Sequence, residues 1–290
     1  MITGFFLGTV FDLNISKALT GFSSDGETTS IKVGFIPRLL EIVGNMTTPF
    51  FSAIALAVVE IDMRKKLGEK GRLGFFCFAT LADFALMAYA GYIAFKNIAG
   101  KLFIGHYIAV AVTAAILTFL IRFVLEHVDR KKLEKVFKPA LFTVFAALAV
   151  VVTFEIIKIT FGRVRFRDLV AAGSLEGYTP WYIPNWFSGS KSFPSGHAGN
   201  ATVLMMLPLW FGENAPKTKK TTAYAVILIW TFSVAISRVC AGAHYLTDVI
   251  FGFMLGSIII NVVYHYYRKT EKRHSPAPAN AHSGDKPEIS

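Results

Sequence analysis

Apolar stretches of bilayer-crossing length recur along this chain, at about 45–62, 73–97, 103–126, 138–160, 196–212, 221–239 and 245–267. A helix needs roughly 20 such residues to cross a hydrocarbon core about 30 Å thick, where every backbone polar group must be bonded within its own segment. The chain is therefore expected to be all-α, a polytopic transmembrane helical bundle of about six or seven spanning helices. Composition agrees. Hydrophobic residues make up 53% of the 290 positions, with 27 phenylalanines, which is outside the range of soluble domains.

The net charge of +11 would point to nucleic acid in a soluble protein. Here the basic residues sit in short loops between apolar stretches, where they report topology, and no nucleic-acid partner is expected. Arg64, Lys65, Lys66, Lys70 and Arg72 precede the second stretch, and Arg130, Lys131, Lys132, Lys135 and Lys138 the fourth. Lys217, Lys219 and Lys220 precede the sixth, and Arg268, Lys269, Lys272 and Arg273 follow the last. These loops are expected to be cytoplasmic, with the C-terminus inside and, for seven spans, the N-terminus outside a cell membrane. The loops at 98–102, 161–195 and 240–244 then share the outer face.

Met1 to Val10 is apolar but too short to span, and Asp12 interrupts it. Without a cationic start or a small-residue cleavage site it reads as an interfacial piece, not a cleaved leader. Residues 22–31 read as a polar linker and 36–43 as an amphipathic helix leading inward. The expected organisation is an N-terminal interfacial segment and linker (1–44), a transmembrane domain (45–268) and a disordered cytoplasmic tail (269–290) rich in Pro, Ala, Ser and His. Cys77 and Cys240 lie in or beside apolar stretches and imply no disulfide framework.

Three short motifs gather on the outer side. In Ser192-Phe193-Pro194-Ser195-Gly196-His197, Pro194 and Gly196 mark a turn, and Ser195 is a natural N-cap for the apolar run after it. Free N–H groups, a hydroxyl and an imidazole therefore meet at a helix N-terminus, which favours an anion. Upstream, Lys158 ends an apolar stretch and is followed by Arg163, Arg165 and Arg167. As headgroup-snorkelling side chains they need no ligand, yet positive charge on the outer side runs against the usual bias, and anion binding explains it. Downstream, Ser237-Arg238 precedes His244 and Asp248, which are four residues apart on one helical face, so a carboxylate can orient one imidazole nitrogen.

The set Lys158, six residues, Arg165; Pro194-Ser195-Gly196-His197; and Ser237-Arg238, five residues, His244, three residues, Asp248 resembles the three-part signature of the type 2 phosphatidic acid phosphatase superfamily. That family includes membrane lipid phosphatases and shares its phosphate site with vanadium-dependent haloperoxidases. The resemblance spans about 158–250. Phe166 stands where the family usually has proline, a difference that bears on loop shape and not on charge.

The resemblance implies a phosphatase acting on a phosphorylated lipid in the bilayer, and it implies roles for the residues. Lys158, Arg165 and Arg238 clamp the phosphoryl oxygens; Ser195 and the Gly196 N–H add neutral donors. His244, held by Asp248, attacks phosphorus to give a phosphohistidine, and His197 protonates the leaving alkoxide. Clustered cations replace metal ions in such a scheme, so no metal and no cofactor is expected. Two other readings remain open: a phosphotransferase using the same intermediate, and a transporter, although transporter sites usually lie at the midplane. Glu155, one turn before Lys158, is read as neutralising it. Asp83 has no partner visible in the sequence, and His106 is either interfacial or near the site. The aromatic loop from Tyr178 to Phe187 reads as a headgroup-level belt or a gate. Oligomeric state is left open.

Overall fold

A computed structural model describes residues 2–24, 29–186 and 188–274. Residues 269–274 of the tail expected to be disordered are instead the last residues of a helix, while the rest of that tail, 275–290, and Phe187 lie outside the described residues. The described chain is almost entirely helical. Helix α1 (Ile2–Leu19) is followed by a two-stranded antiparallel ribbon, β1 (Ser23–Ser24) with β2 (Thr29–Ser30). Then come α2 (Phe35–Met63), α3 (Glu69–Ala99), α4 (Ile104–Glu126), α5 (Arg130–Phe161) and the short α6 (Phe166–Ala171). Next, α7 (Gly196–Ala201) runs directly into a 3-10 helix (Thr202–Phe211), followed by α8 (Lys217–Cys240) and α9 (Leu246–His274).

Six of these helices, α2 to α5, α8 and α9, are long and apolar enough to cross a membrane. All but α4 are longer than the apolar stretches that announced them. Hydropathy marks where a helix enters hydrocarbon, while Lys, Arg and Glu are good helix formers and continue it into water. Thus α5 begins at Arg130, where Asp129 caps it by accepting from the Lys131 N–H at 2.7 Å. The stretch expected as a helix at 196–212 is instead six α-helical residues followed by ten in the 3-10 form. At rises of ~1.5 and ~2.0 Å per residue these cover about 29 Å, the depth of a hydrocarbon core.

Two readings of the N-terminal region are corrected. Asp12 does not interrupt α1; it lies inside the helix, buried, because Arg163 and Thr247 meet it there. The amphipathic piece expected at 36–43 is the first part of α2, which continues unbroken through residue 44 to Met63. α2 is more deeply buried than the other five spanning helices and packs against α3, α4, α5, α7 and α8.

Lipid is as apolar as leucine, so helix association inside a bilayer depends on close packing. Small residues provide it. Ala53, Ala55 and Ala57 are fully buried on α2. On α9, Gly252 and Gly256 lie against the α7 backbone: a Cβ at Gly252 would stand 2.6 Å from the Ser195 carbonyl oxygen, and one at Gly256 3.0 Å from that of Gly199. Gly199 in turn faces the Phe154 ring of α5, leaving no room for a side chain. Phe154, Val150, Val203, Met206 and Ile260 fill the core between α5, the 3-10 helix and α9. Large apolar side chains such as Ile108, Val112, Ile116 and Phe119 on α4 stay exposed, as a lipid-facing surface requires.

Candidate active site

The alternation of helices brings the turns after α5 and α8 and the start of α7 to one end of the bundle. The first turn is set by Gly162, the C-cap of α5, whose φ of 45° is in the left-handed region. Its missing side chain also lets the backbone pass Asn185 and Ser188. The chain therefore reverses immediately after Lys158 and carries three arginines back over the helix end.

These arginines separate by role. Arg163 is buried and all three of its nitrogens are engaged: Nη1 to Asp248 Oδ1 at 2.6 Å and Thr247 Oγ1 at 3.0 Å, Nη2 to Asp12 Oδ2 at 3.0 Å, and Nε to the Thr179 carbonyl at 2.8 Å. Its guanidinium lies 3.9 Å from the centroid of the Tyr245 ring. It is a structural clamp, not an anion ligand. Arg165 faces the cavity described below, with its Nε unpartnered. Burial, with Arg167 and Arg238 nearby, pushes its guanidinium below the usual arginine range, a strain that an anion relieves. Arg167 lies at the rim.

Phe166 starts α6 as its first helical residue, a position whose N–H has no helical partner and which proline also tolerates. Its ring is buried against Phe22 and Tyr245. The departure from the family's proline thus leaves the backbone unchallenged and adds packing.

Lys158 Nζ bonds Glu155 Oε1 at 2.6 Å and leans over Gly196, where a Cβ would stand 2.9 Å from Nζ. Arg238, in the last turn of α8, is 2% exposed and is gripped by Glu41 of α2, with Nη2–Oε1 2.8 Å and Nη1–Oε2 2.7 Å. Ser195 caps α7, its Oγ accepting from the Ala198 N–H at 3.4 Å, and is buried behind the cavity wall that Gly196 and His197 form. His197 Nε2 is buried without a partner, and its ring centroid lies 6.4 Å from that of His244.

His244 Nδ1 lies 2.6 Å from the Ser192 carbonyl oxygen. A carbonyl only accepts, so Nδ1 carries the hydrogen and the Nε2 lone pair is free. Asp248 Oδ2 is 3.7 Å from Nδ1, an ionic contact beyond hydrogen-bond range. That oxygen instead accepts from Ser192 Oγ at 2.5 Å and from the Tyr245 N–H at 2.9 Å. Asp248 therefore holds His244 mainly by fixing the Ser192 loop, with Arg163 anchoring Asp248 in turn. Burial above all, with Arg238 and Arg165 added, overcomes the opposing pull of Asp248 and pushes the His244 imidazole down to about 4. It is neutral at pH 7.

A cavity of about 820 Å³ opens over this cluster. Lys158, Arg165, Arg238, His197 and His244 line one end. From there it runs between α2, α3 and α5 as far as Leu56 and Val144. Leu56 is 15 residues from Glu41 along α2, so the cavity reaches about 22 Å into the bundle. Among the described residues no group of three or more His, Cys, Asp or Glu side chains is arranged to hold a metal. His106 is not at the cavity; its Nδ1 accepts from the Phe103 N–H at the start of α4. Trp181 of the aromatic loop is packed against Phe5, Phe193 and Phe251, while Tyr182 and Ile183 are exposed.

Fold and cluster together define a polytopic helical membrane protein with a basic, histidine-lined cavity mouth at one end of its bundle. Residues 139–272 match the sequence profile of the PAP2 superfamily. It is 31% identical over 117 residues to phosphatidylglycerophosphatase B of Bacillus subtilis (strain 168), covering 39% of this chain and 58% of that protein. It is 28% identical over 102 residues to phosphatidylglycerophosphatase B of Haemophilus influenzae, covering 33% and 42%. The similarity thus spans about half the length of these relatives. No solved structure matches the chain significantly. Glu41, α2 and α3 all lie outside the matched segment.

Proposed function

We propose that this protein is an integral membrane phosphatase that releases inorganic phosphate from a lipid phosphate or pyrophosphate. One observation carries the reading: a single cavity joins three cations and two histidines at its mouth to an apolar bore deep between α2, α3 and α5. Such a shape takes a phosphorylated headgroup and its hydrocarbon chain together. Phosphatidic acid, phosphatidylglycerophosphate and polyprenyl pyrophosphate all fit that description, and the names of the two relatives make phosphatidylglycerophosphate the first to try.

In this mechanism Lys158, Arg165 and Arg238 hold the non-bridging oxygens, with the Gly196 N–H as a neutral donor and Ser195 setting the α7 terminus beneath it. His244 Nε2 attacks phosphorus in line; the P–O bond to the lipid breaks and His197 gives its proton to the departing alkoxide. Water, deprotonated by His197, then attacks the phosphohistidine, and phosphate leaves as His244 Nε2 recovers its lone pair. Positioning and charge stabilisation dominate phosphoryl transfer, so the cations serve where other phosphatases use metal ions. The headgroup approaches from the outer face of the cell membrane and the C-terminus is cytoplasmic.

Purified protein given a panel of lipid phosphates should release inorganic phosphate, retain activity in excess chelator and be inhibited by vanadate. No release from any lipid phosphate overturns the reading. Loss of activity on chelation, restored by a divalent ion, overturns its metal-free mechanism.

A further inference from the structure

The phosphate seat is already occupied by the protein's own carboxylates. Glu41 holds Arg238 through both oxygens, and Glu155 holds Lys158. Of the three clamping cations only Arg165 lacks a carboxylate hydrogen-bonded to it among the described contacts; its Nε is an orphan, and so are Nε and Nη1 of Arg238, whose one hydrogen bond to Glu41 is through Nη2. Glu41 is the more telling of the two acids, because its residue is nine-tenths buried and lines the cavity beside both histidines. At the rim, Arg167 Nη1 lies 3.9 Å from Glu41 Oε1.

We infer that Glu41 is a specificity-determining residue that sets a charge threshold for phosphate binding, admitting phosphomonoesters and rejecting the phosphodiester lipids of the surrounding bilayer. The inference rests on the proposed lipid phosphate site. A bulk phospholipid headgroup is a diester with one negative charge. Exchanging it for Glu41 on Arg238 swaps one unit charge for another, so the lost Arg238–Glu41 pair is not offset even with Glu41 moved to Arg167, and the exchange is unfavourable. A phosphomonoester carries about −1.5 to −2 at pH 7 and three terminal oxygens. It can engage Arg238, Lys158 and Arg165 together, while the released Glu41 turns to Arg167. The resident acid therefore discriminates by ligand charge, with the hand-off to Arg167 making its displacement feasible.

The test measures thermal stabilisation of the full chain by dihexanoyl phosphatidic acid, a monoester, and dihexanoyl phosphatidylglycerol, a diester, in a His244→Ala background that cannot turn over either. The parent should prefer the monoester. Glu41→Gln should strengthen diester binding on the order of tenfold, the scale of removing one stranded buried partner, and narrow the preference. A structural role for Glu41, holding Arg238 in place, predicts the opposite: both ligands bind more weakly by the same factor, and that result overturns the inference. Arg167→Gln, a change at the half-buried cavity rim, should weaken the monoester alone, and narrow the preference from the other direction. An unchanged preference in Arg167→Gln overturns the inference even if Glu41→Gln does not fold. Phosphate release by the wild-type chain tests the enzymatic reading separately, so the two can fail independently.

Discussion

The two histidines of the cavity are assigned different steps in the proposed mechanism and should fail differently when replaced. His244→Ala removes the proposed nucleophile and should abolish phosphate release from every substrate. His197→Ala removes a proton donor, an effect of roughly 10²- to 10⁴-fold that matters most for a strongly basic leaving oxygen. Its activity should fall far more on a lipid phosphate than on nitrophenyl phosphate when phosphoenzyme formation limits both rates; equal losses would remove His197 from the acid role. The pH dependence follows from the depressed His244. Its folded value of about 4 lies below the ordinary 6.5, so the free base persists on acidification until about pH 4. The acid limb of kcat/KM, corrected for titration of the substrate's own phosphate, should fall near pH 4, and a limb near 6.5 would contradict this burial argument. The motif residues were legible in the sequence because their spacing is local. Their supporting partners were not: Glu41 is 197 positions from Arg238, and Asp12 is 151 from Arg163.

Among the elements, the turn between α5 and α6 does the most to assemble the site, and Arg163 is its anchor. It joins α1 through Asp12, the aromatic loop through Thr179 and α9 through Asp248. Arg163→Met strands two buried carboxylates, a loss of about 3–5 kcal/mol by analogy with broken buried ion pairs. The variant should show a lowered unfolding temperature in detergent together with loss of phosphate release, whereas retention of both would mean that the network is dispensable. The sequence placed Arg163 with its neighbours as one basic cluster, since nothing in a run of arginines says which side chain turns inward. Element ends were equally hidden. Apolar length located the spans, but the 3-10 geometry of 202–211 depends on contacts that periodicity does not contain.

Across the whole molecule, a second buried charge group lies away from the cavity. Arg122 of α4 donates to Glu60 of α2 at 3.0 Å and to Asp83 of α3 at 2.9 Å, which supplies the partner that Asp83 lacked in the sequence. Arg122→Leu should destabilise the bundle strongly, while adding Glu60→Leu and Asp83→Leu should recover much of the loss, because an apolar trio has no charge to desolvate. A triple variant less stable than the single one would argue against that. Orientation is testable in a background with Cys77 and Cys240 replaced by alanine. A cysteine at exposed Ser174 should react with an impermeant thiol reagent in intact cells, and one at exposed Lys219 only after permeabilisation. The reverse labelling would turn the protein over in the membrane.

The segment that matches the PAP2 profile begins at residue 139, yet two of the three helices around the deep bore, α2 and α3, precede it. In the proposed function, reaction chemistry and tail accommodation therefore sit on stretches of chain that can diverge separately. Bulky replacements at Ser52 or Leu86, which line the bore far from the histidines, should shorten the longest hydrocarbon chain accepted while turnover of short-chain lipids persists. Within such a lineage the catalytic signature would identify what is done to a lipid, and the helices before it would decide which lipids are clients.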